Sequence, residues 1–167
     1  GVHPPRWDDR VMWLTSPWRV RVILLCVFVR ATVSPFVRLL AVALVKRAVI
    51  GRFKEGPKGE WAHLQYWLMK RLVGNDLCGV HTLLGRHWGG VTVALRLLGA
   101  KCGARVFWPG VLFNLVEFDL LTVGDDVVFG SRSTILGGDA TDAAPVTLAA
   151  GAMVADRCVL LPGLTAG

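Results

Sequence analysis

Residues 123–136 read VGDDVVFGSRSTIL and carry an apolar residue at every sixth position, at Val123, Phe129 and Ile135. Small glycines, Gly124 and Gly130, directly follow the first two. The same step returns in residues 148–167, LAAGAMVADRCVLLPGLTAG, at Leu148, Val154, Leu160 and Ala166. A period of six with an apolar residue first and a small residue second is typical of a parallel β-helix. The sequence therefore predicts a mainly β fold, a left-handed parallel β-helix of hexapeptide repeats over residues 98–167.

Two interruptions of the six-residue step bear on where a site would be built. In a β-helix the first residue of each unit points inward, and the second lies at a tight corner where glycine or alanine is favoured. The step is broken between 109 and 122 and again between 136 and 147. Insertions of this kind form loops on one side of a repeat protein, often the binding side.

An apolar segment over residues 20–50 precedes the predicted repeats, and Ser16-Pro17 is a helix-start signal. Arg30 and Arg38 interrupt it, and a central arginine costs roughly 3 kcal/mol on insertion scales. The residues leave three interpretations: a kinked membrane helix, an amphipathic helix lying on a bilayer, or a buried helix of a soluble domain. Basic residues follow the segment at Lys46, Arg47, Arg52 and Lys54. We therefore expect a membrane-associated segment over residues 1–50, with the β-helix on the cytoplasmic side.

Residues 51–97 form the middle segment of the predicted organisation. Residues 51–59 have the glycine, proline and lysine composition of a linker. Apolar residues then recur at helical spacing, which predicts a short amphipathic helix over residues 60–73; they are Trp61, Leu64, Leu68 and Leu72.

Composition and charge restrict the classes of partner. Apolar residues make up 53% of the 167, and the net charge is +7. Residues 1–106 hold 17 Lys and Arg against 5 Asp and Glu, whereas residues 107–167 hold 2 against 7. Because the basic residues lie among aliphatic runs, a membrane surface is the favoured partner and no nucleic-acid partner is expected.

The four cysteines have no metal-binding spacing, so no metal site is predicted. The missing initiator Met and the stop inside a six-residue unit predict a fragment of a longer protein.

Several longer motifs resemble one protein family. They are LLGRHW at 83–88, LRLLGAKCG at 95–103, VFWPG at 106–110, VEFDLL at 116–121 and VGDDVVFGSRS at 123–133. Together they resemble the C-terminal hexapeptide-repeat region of membrane-bound nonribosomal peptide-synthetase-like proteins, the group that includes ε-poly-lysine synthetase.

The resemblance implies partners outside this chain. They are the adenylating domain and the phosphopantetheine carrier of the parent protein, together with membrane lipid and further copies in a homo-oligomer. No cofactor is expected to be bound in this fragment itself, and the aminoacyl substrate would arrive as the carrier's phosphopantetheine thioester.

The function that the resemblance implies is transfer of a carrier-bound aminoacyl group to an amine, which forms an amide bond. This reaction needs a base for the amine and donors for the oxyanion. His87, in the glycine-rich joint before the repeats, is the first candidate for the base, and His81 is the second. Glu117 and Asp119 flank Phe118 and are candidates to orient His87 or bind a cationic amine, while Arg132 is a candidate for a phosphate or carboxylate. Two alternatives remain: a non-catalytic scaffold or docking module at a membrane, and a hexapeptide-repeat acetyltransferase that uses CoA.

Overall fold

The computed structural model describes residues 16–74, 77–80, 88–138 and 142–167. The chain divides into two compact units, Gly1–Ser34 and Pro35–Gly167. The three segments expected from the sequence, 1–50, 51–97 and 98–167, stay a prediction.

Helices and short strands both contribute to the described residues. The α-helices are α1 (Pro17–Val45), α2 (Glu60–Val73) and α3 (Trp88–Leu97). A π-helical turn, Lys46–Ile50, extends α1, and 3₁₀ turns lie at Leu77–Gly79 and Phe118–Leu120. The strands are β1 (Gly56–Pro57), β2 (Lys101–Cys102), β3 (Leu112–Asn114), β4 (Leu121–Val123), β5 (Val128–Phe129), β6 (Thr134–Leu136), β7 (Asp142–Ala143), β8 (Val146–Leu148), β9 (Met153–Val154), β10 (Val159–Leu160) and β11 (Thr165–Ala166).

Helix α1 begins at Pro17, as the Ser16-Pro17 signal predicts. Together with the π-helical turn it makes 34 residues, and its most apolar 18-residue window has a mean hydropathy of 2.0 and is not buried within the protein. Large side chains such as Leu24 and Phe28 are exposed. By length and composition, this is a helix that can cross a membrane, the one such helix among the residues that the structure describes.

Helix α2 occupies the residues at which the amphipathic pattern predicts a helix, 60–73. Its inner face buries Met69 and Val73 completely or nearly so. Gly74 ends it in a left-handed conformation with φ of 70°, and the Gly74 N–H donates to the Lys70 carbonyl.

The strands form three parallel sheets and one antiparallel pair. The sheet orders are β2–β4–β8–β11, β3–β6–β10 and β5–β9, while β1 pairs antiparallel with β7. In the largest sheet Thr122 pairs with Thr147, and Thr147 pairs with Thr165. The neighbouring inward positions therefore form a column, Cys102, Val123, Leu148 and Ala166.

The core lies between these sheets and α3. Most of the apolar residues at the six-residue step are buried, namely Val123, Phe129, Ile135, Leu148 and Leu160, and Val154 and Ala166 are half-buried. Trp108 connects the sheets to α3. Its ring stacks on Phe129 of β5 with centroids 4.6 Å apart, and its Nε1 donates to the Thr92 hydroxyl of α3 at 3.0 Å. A buried indole thus has the polar partner that it needs.

The predicted fold class, a mainly β left-handed parallel β-helix, is wrong. The protein is mixed α/β: 46% of the residues that the structure describes are helical, and the strands are short segments in parallel and antiparallel sheets. The physical reason is that the six-residue step reports which side chains are buried and does not fix how the backbone between them is organised. Residues 91–98, whose periodicity fits a helix or a strand, belong mostly to α3, and the strands hold only two or three residues each.

Candidate functional site

The two histidines predicted as catalytic, His87 and His81, lie outside the described residues. The three predicted substrate-binding residues, Glu117, Asp119 and Arg132, lie within them. The structure brings Glu117 and Asp119 close to the lysines of the segment that follows α1, and it puts Arg132 elsewhere.

Asp119 is the centre of a small polar network. Its Oδ2 atom lies 2.6 Å from Lys46 Nζ and accepts a hydrogen bond from the Phe53 backbone N–H at 3.1 Å. The Lys46 ammonium also donates to the Leu98 carbonyl at 2.6 Å. The Lys46 and Asp119 side chains are 5% and 14% exposed, so the pair is largely shielded from water. This network fixes the π-helical turn against the end of α3.

Glu117 forms the second pair, with Lys58, at 2.6 Å between Oε1 and Nζ. Both side chains are buried, and the Lys58 ammonium also lies 4.6 Å from the centre of the Tyr66 ring. The other carboxylate oxygen of Glu117, Oε2, is buried and has no hydrogen-bond partner among the residues that the structure describes. It faces Gly137, where a Cβ atom would collide with it. Glu117 is therefore enclosed in the protein interior and does not reach the solvent.

A cleft of about 700 Å³ opens over the Lys46–Asp119 pair. Within the described part of the chain, five cationic side chains and one carboxylate line it; the charged residues are Lys46, Arg47, Arg52, Arg96, Lys101 and Asp119. Phe53, Leu97 and Leu98 supply apolar surface, and Gly51 and Gly99 supply exposed backbone. Such an excess of positive charge in a concave site favours an anionic ligand.

The local structure explains how the cations come together. Lys46 and Arg47 begin the π-helical turn, a distortion that often occurs at functional sites. Arg96, in the last turn of α3, donates to the carbonyls of Cys102 and Gly103 at 2.9 and 2.8 Å. Its guanidinium is therefore held at the C-terminal end of β2. Arg47, Arg52 and Lys101 are exposed and available to a ligand from solvent.

Gly99 is the residue that allows the cleft to form. Its φ of 106° belongs to the region that favours glycine, and a Cβ atom here would collide with the Asp119 carboxylate and the Lys46 ammonium. The close approach of the backbone to the ion pair thus depends on the absent side chain.

The chemistry of the cleft is that of binding and positioning. Burial raises the pKa of the neighbouring Cys102 thiol to about 11, an effect that the charge of Arg96 only partly opposes. Cys102 is consequently a protonated thiol at neutral pH and not a nucleophile. Within the described ranges, no group of three His, Cys, Asp or Glu side chains is arranged to hold a metal ion. An anion with a phosphate or carboxylate group fits the cleft best, because guanidinium and ammonium groups bind such groups through charge-assisted hydrogen bonds.

The remaining charged residues at turns have structural roles or lie apart from the cleft. Arg132 is exposed at a turn between β5 and β6, with φ of 61°, and does not line the cleft. Arg105 and Asp126 form an exposed bidentate pair with two contacts of 2.6 Å. This contact raises the pKa of Arg105 and lowers the pKa of Asp126.

Most of the cleft was not predicted from the sequence. Lys46, Arg47 and Arg52 appear in the sequence as a basic run after an apolar helix, which indicates membrane topology and not a site. Arg96 and Lys101 carry no local signal, since only the turn between α3 and β2 brings them to the same opening.

Compared with known proteins, the chain matches no protein-family model, no curated protein and no solved structure at a significant level.

Proposed function

We infer that this protein is a membrane-associated module that binds an anionic, phosphate-bearing ligand in the basic cleft. The observation that carries this proposal is the set of five cationic side chains around a single, already paired carboxylate. A phosphate entering the cleft would meet Arg47, Arg52 and Lys101 as exposed donors, and Arg96 as a donor held in position by β2.

The position of the cleft supports a ligand delivered at a membrane surface. The cleft is formed in part by the turn that ends the apolar helix, Lys46–Ile50. The excess of basic residues after that helix favours the cytoplasmic side. In the proposed arrangement, α1 anchors the protein, and the cleft faces the cytoplasm close to the bilayer.

The reaction that we propose is transfer of an aminoacyl group from a phosphopantetheine carrier to an amine. It rests on the resemblance of the 83–133 motifs to membrane-bound peptide-synthetase-like proteins, and on the fit between the cleft and the phosphate of the carrier arm. The amine nitrogen attacks the thioester carbonyl, a C–N bond forms and the C–S bond breaks. The proton leaves the amine for a base, proposed as His87, and ends on the leaving thiolate.

The first test compares two ligands that differ only in the phosphate, 4′-phosphopantetheine and pantetheine. Their affinities are measured by titration calorimetry with the detergent-solubilised full chain at low salt. We expect phosphopantetheine to bind at least tenfold more tightly, because one charge-assisted hydrogen bond contributes about 1.5 kcal/mol or more. Equal affinities would contradict the proposal.

The second test separates binding from chemistry. An aminoacyl-phosphopantetheine thioester is incubated with an amine and the chain, and amide is followed by mass spectrometry, with a His87→Ala variant alongside. Amide formation that the variant loses supports the transfer reaction. Tight binding of the thioester without any amide would instead favour the alternative of a non-catalytic docking module.

A further inference from the structure

Helix α2 carries an exposed apolar stripe that its packing does not account for. Its inner face is occupied by Met69 and Val73, and Tyr66, Leu68 and Leu72 pack against the same core. On the outer face, Trp61 and Trp67 are 60% and 62% exposed, and Leu64 between them is exposed as well. These three residues are spaced three apart and therefore cover about 120° of the helix circumference.

The composition of this stripe is characteristic of a membrane interface. Tryptophan has an apolar ring and a polar N–H group, and it is enriched where hydrocarbon meets the lipid headgroups. The last turn of α2 adds two exposed cations, Lys70 and Arg71, whose aliphatic stems can lie along apolar surface while their charges reach the headgroups. A helix with apolar and aromatic residues beside lysine and arginine has the pattern of a segment that lies in the plane of a bilayer surface.

The position of α2 is consistent with contact to lipid. Its C-terminal end lies against the last third of α1, where Arg38 donates to the Leu72 carbonyl at 3.1 Å. Both residues belong to the unit Pro35–Gly167, in which Leu40 and Leu44 of α1 are also exposed. The exposed Leu40 and Leu44 at the end of α1 and the tryptophan stripe of α2 thus belong to one unit.

We propose that α2 is a second membrane-contacting element, which docks its Trp61–Leu64–Trp67 face on an anionic lipid surface. Lys70 and Arg71 select anionic headgroups by charge, and the two tryptophans enter the interface. This inference is independent of the ligand of the basic cleft, since none of these residues lines that cleft. The cleft would nevertheless be held near the bilayer by two elements instead of one.

The test uses the full chain reconstituted in vesicles of phosphatidylglycerol with brominated acyl chains, which quench tryptophan in contact with lipid. The wild type is compared with the Trp61→Phe/Trp67→Phe variant, a change that keeps apolar side chains in place. We expect the emission difference between the two proteins, which reports Trp61 and Trp67, to be at least half quenched by brominated lipid and little affected by aqueous acrylamide. In zwitterionic vesicles the lipid quenching of this difference should be weaker.

A second comparison keeps the proposal falsifiable if the double variant folds poorly. Lys70→Gln/Arg71→Gln should reduce lipid quenching in phosphatidylglycerol vesicles, whereas Lys54→Gln, which removes an exposed cation outside α2, should not. Quenching of Trp61 and Trp67 by acrylamide in vesicles would overturn the proposal, because the face would then lie in water. Protection from both quenchers would also overturn it, since a second copy of the chain would then cover the face.

Discussion

The Lys46 ammonium lies 2.6 Å from the Asp119 carboxylate, although the two residues are 73 positions apart in the chain. Two residues earlier, Glu117 is paired in the same way with Lys58. The 115–120 segment thus holds both ends of the 46–58 segment through two largely buried ion pairs. This arrangement fixes the turn after α1 relative to α3 and β2, and it thereby forms the floor of the basic cleft.

Removing one partner of the Lys46–Asp119 pair should be costly. A buried charge without its partner destabilises a protein by about 3–5 kcal/mol, whereas replacing both partners with apolar residues costs less. We expect Lys46→Met and Asp119→Leu each to lower the free energy of unfolding by about 3 kcal/mol. The double variant should lose less free energy of unfolding than the sum of the two single losses. Urea unfolding of the full chain in detergent measures these values.

The matched control for this double-mutant cycle of Lys46 and Asp119 is Lys54→Met, which removes an exposed cation from the same segment. It should change the free energy of unfolding by no more than about 0.5 kcal/mol. Strictly additive losses in the Lys46/Asp119 cycle would show that the two residues are not coupled.

Gly99→Ala should disturb the ion pair without changing a charge. The backbone φ of 106° is strained for alanine, and the added methyl group would displace the Asp119 carboxylate. Strain of this type costs about 1–3 kcal/mol. A Gly59→Ala variant is the comparison, because an added Cβ there has no atom within 4 Å and the backbone φ is −75°. Gly59 is the N-cap of α2, so this variant should lose only the modest advantage of glycine over alanine at that position, about 0.5 kcal/mol. Comparable losses for the two variants in thermal unfolding would count against the proposed role of Gly99.

The Arg105–Asp126 pair should give a small dependence of stability on pH. Because Arg105 lowers the pKa of Asp126 in the folded protein, the pair stabilises the fold above the unfolded pKa of about 4. This stabilisation is lost as the pH falls through the lowered pKa. Asp126→Asn, which tolerates the positive φ, should therefore lower Tm at pH 7 by more than at pH 2.

Arg105→Gln provides the check on this titration. It should produce the same difference in Tm between pH 7 and pH 2, because it removes the same contact from the other side. If either variant lowered Tm by the same amount at pH 7 and at pH 2, the Arg105–Asp126 pair would not be the source of the pH dependence.

Some of the structure could be predicted from the sequence, where local chemistry decides it. Ser16-Pro17 marks the start of α1, and the spacing of Trp61, Leu64, Leu68 and Leu72 fits α2. The six-residue step identifies Val123, Phe129 and Ile135 as buried. The small residues expected at Gly124 and Gly130 are also required by packing. A Cβ at Gly124 would collide with the backbone of residues 149–150, and one at Gly130 with the backbone of residues 155–156.

Other features depend on contacts between distant parts of the chain. The mixed α/β fold was missed because apolar periodicity identifies buried side chains but does not say how many residues between them are helical. Glu117 is enclosed because Lys58, from a segment with the composition of a linker, reaches it. Neither residue carries a sequence signal for that pairing. The five cations of the cleft come from three separate segments, which only the folded chain brings together.

Binding of 4′-phosphopantetheine to the full chain, after charges are removed inside and beside the cleft, tests the proposed phosphate site most directly. Arg52→Gln/Lys101→Gln removes two exposed cations that line the cleft, and Lys54→Gln removes one that does not. We expect the double variant to bind at least tenfold more weakly at low salt, the control to bind as the wild type does, and the difference to shrink as salt screens the charges. Equal affinities of the double variant, the control and the wild type would contradict the proposed ligand.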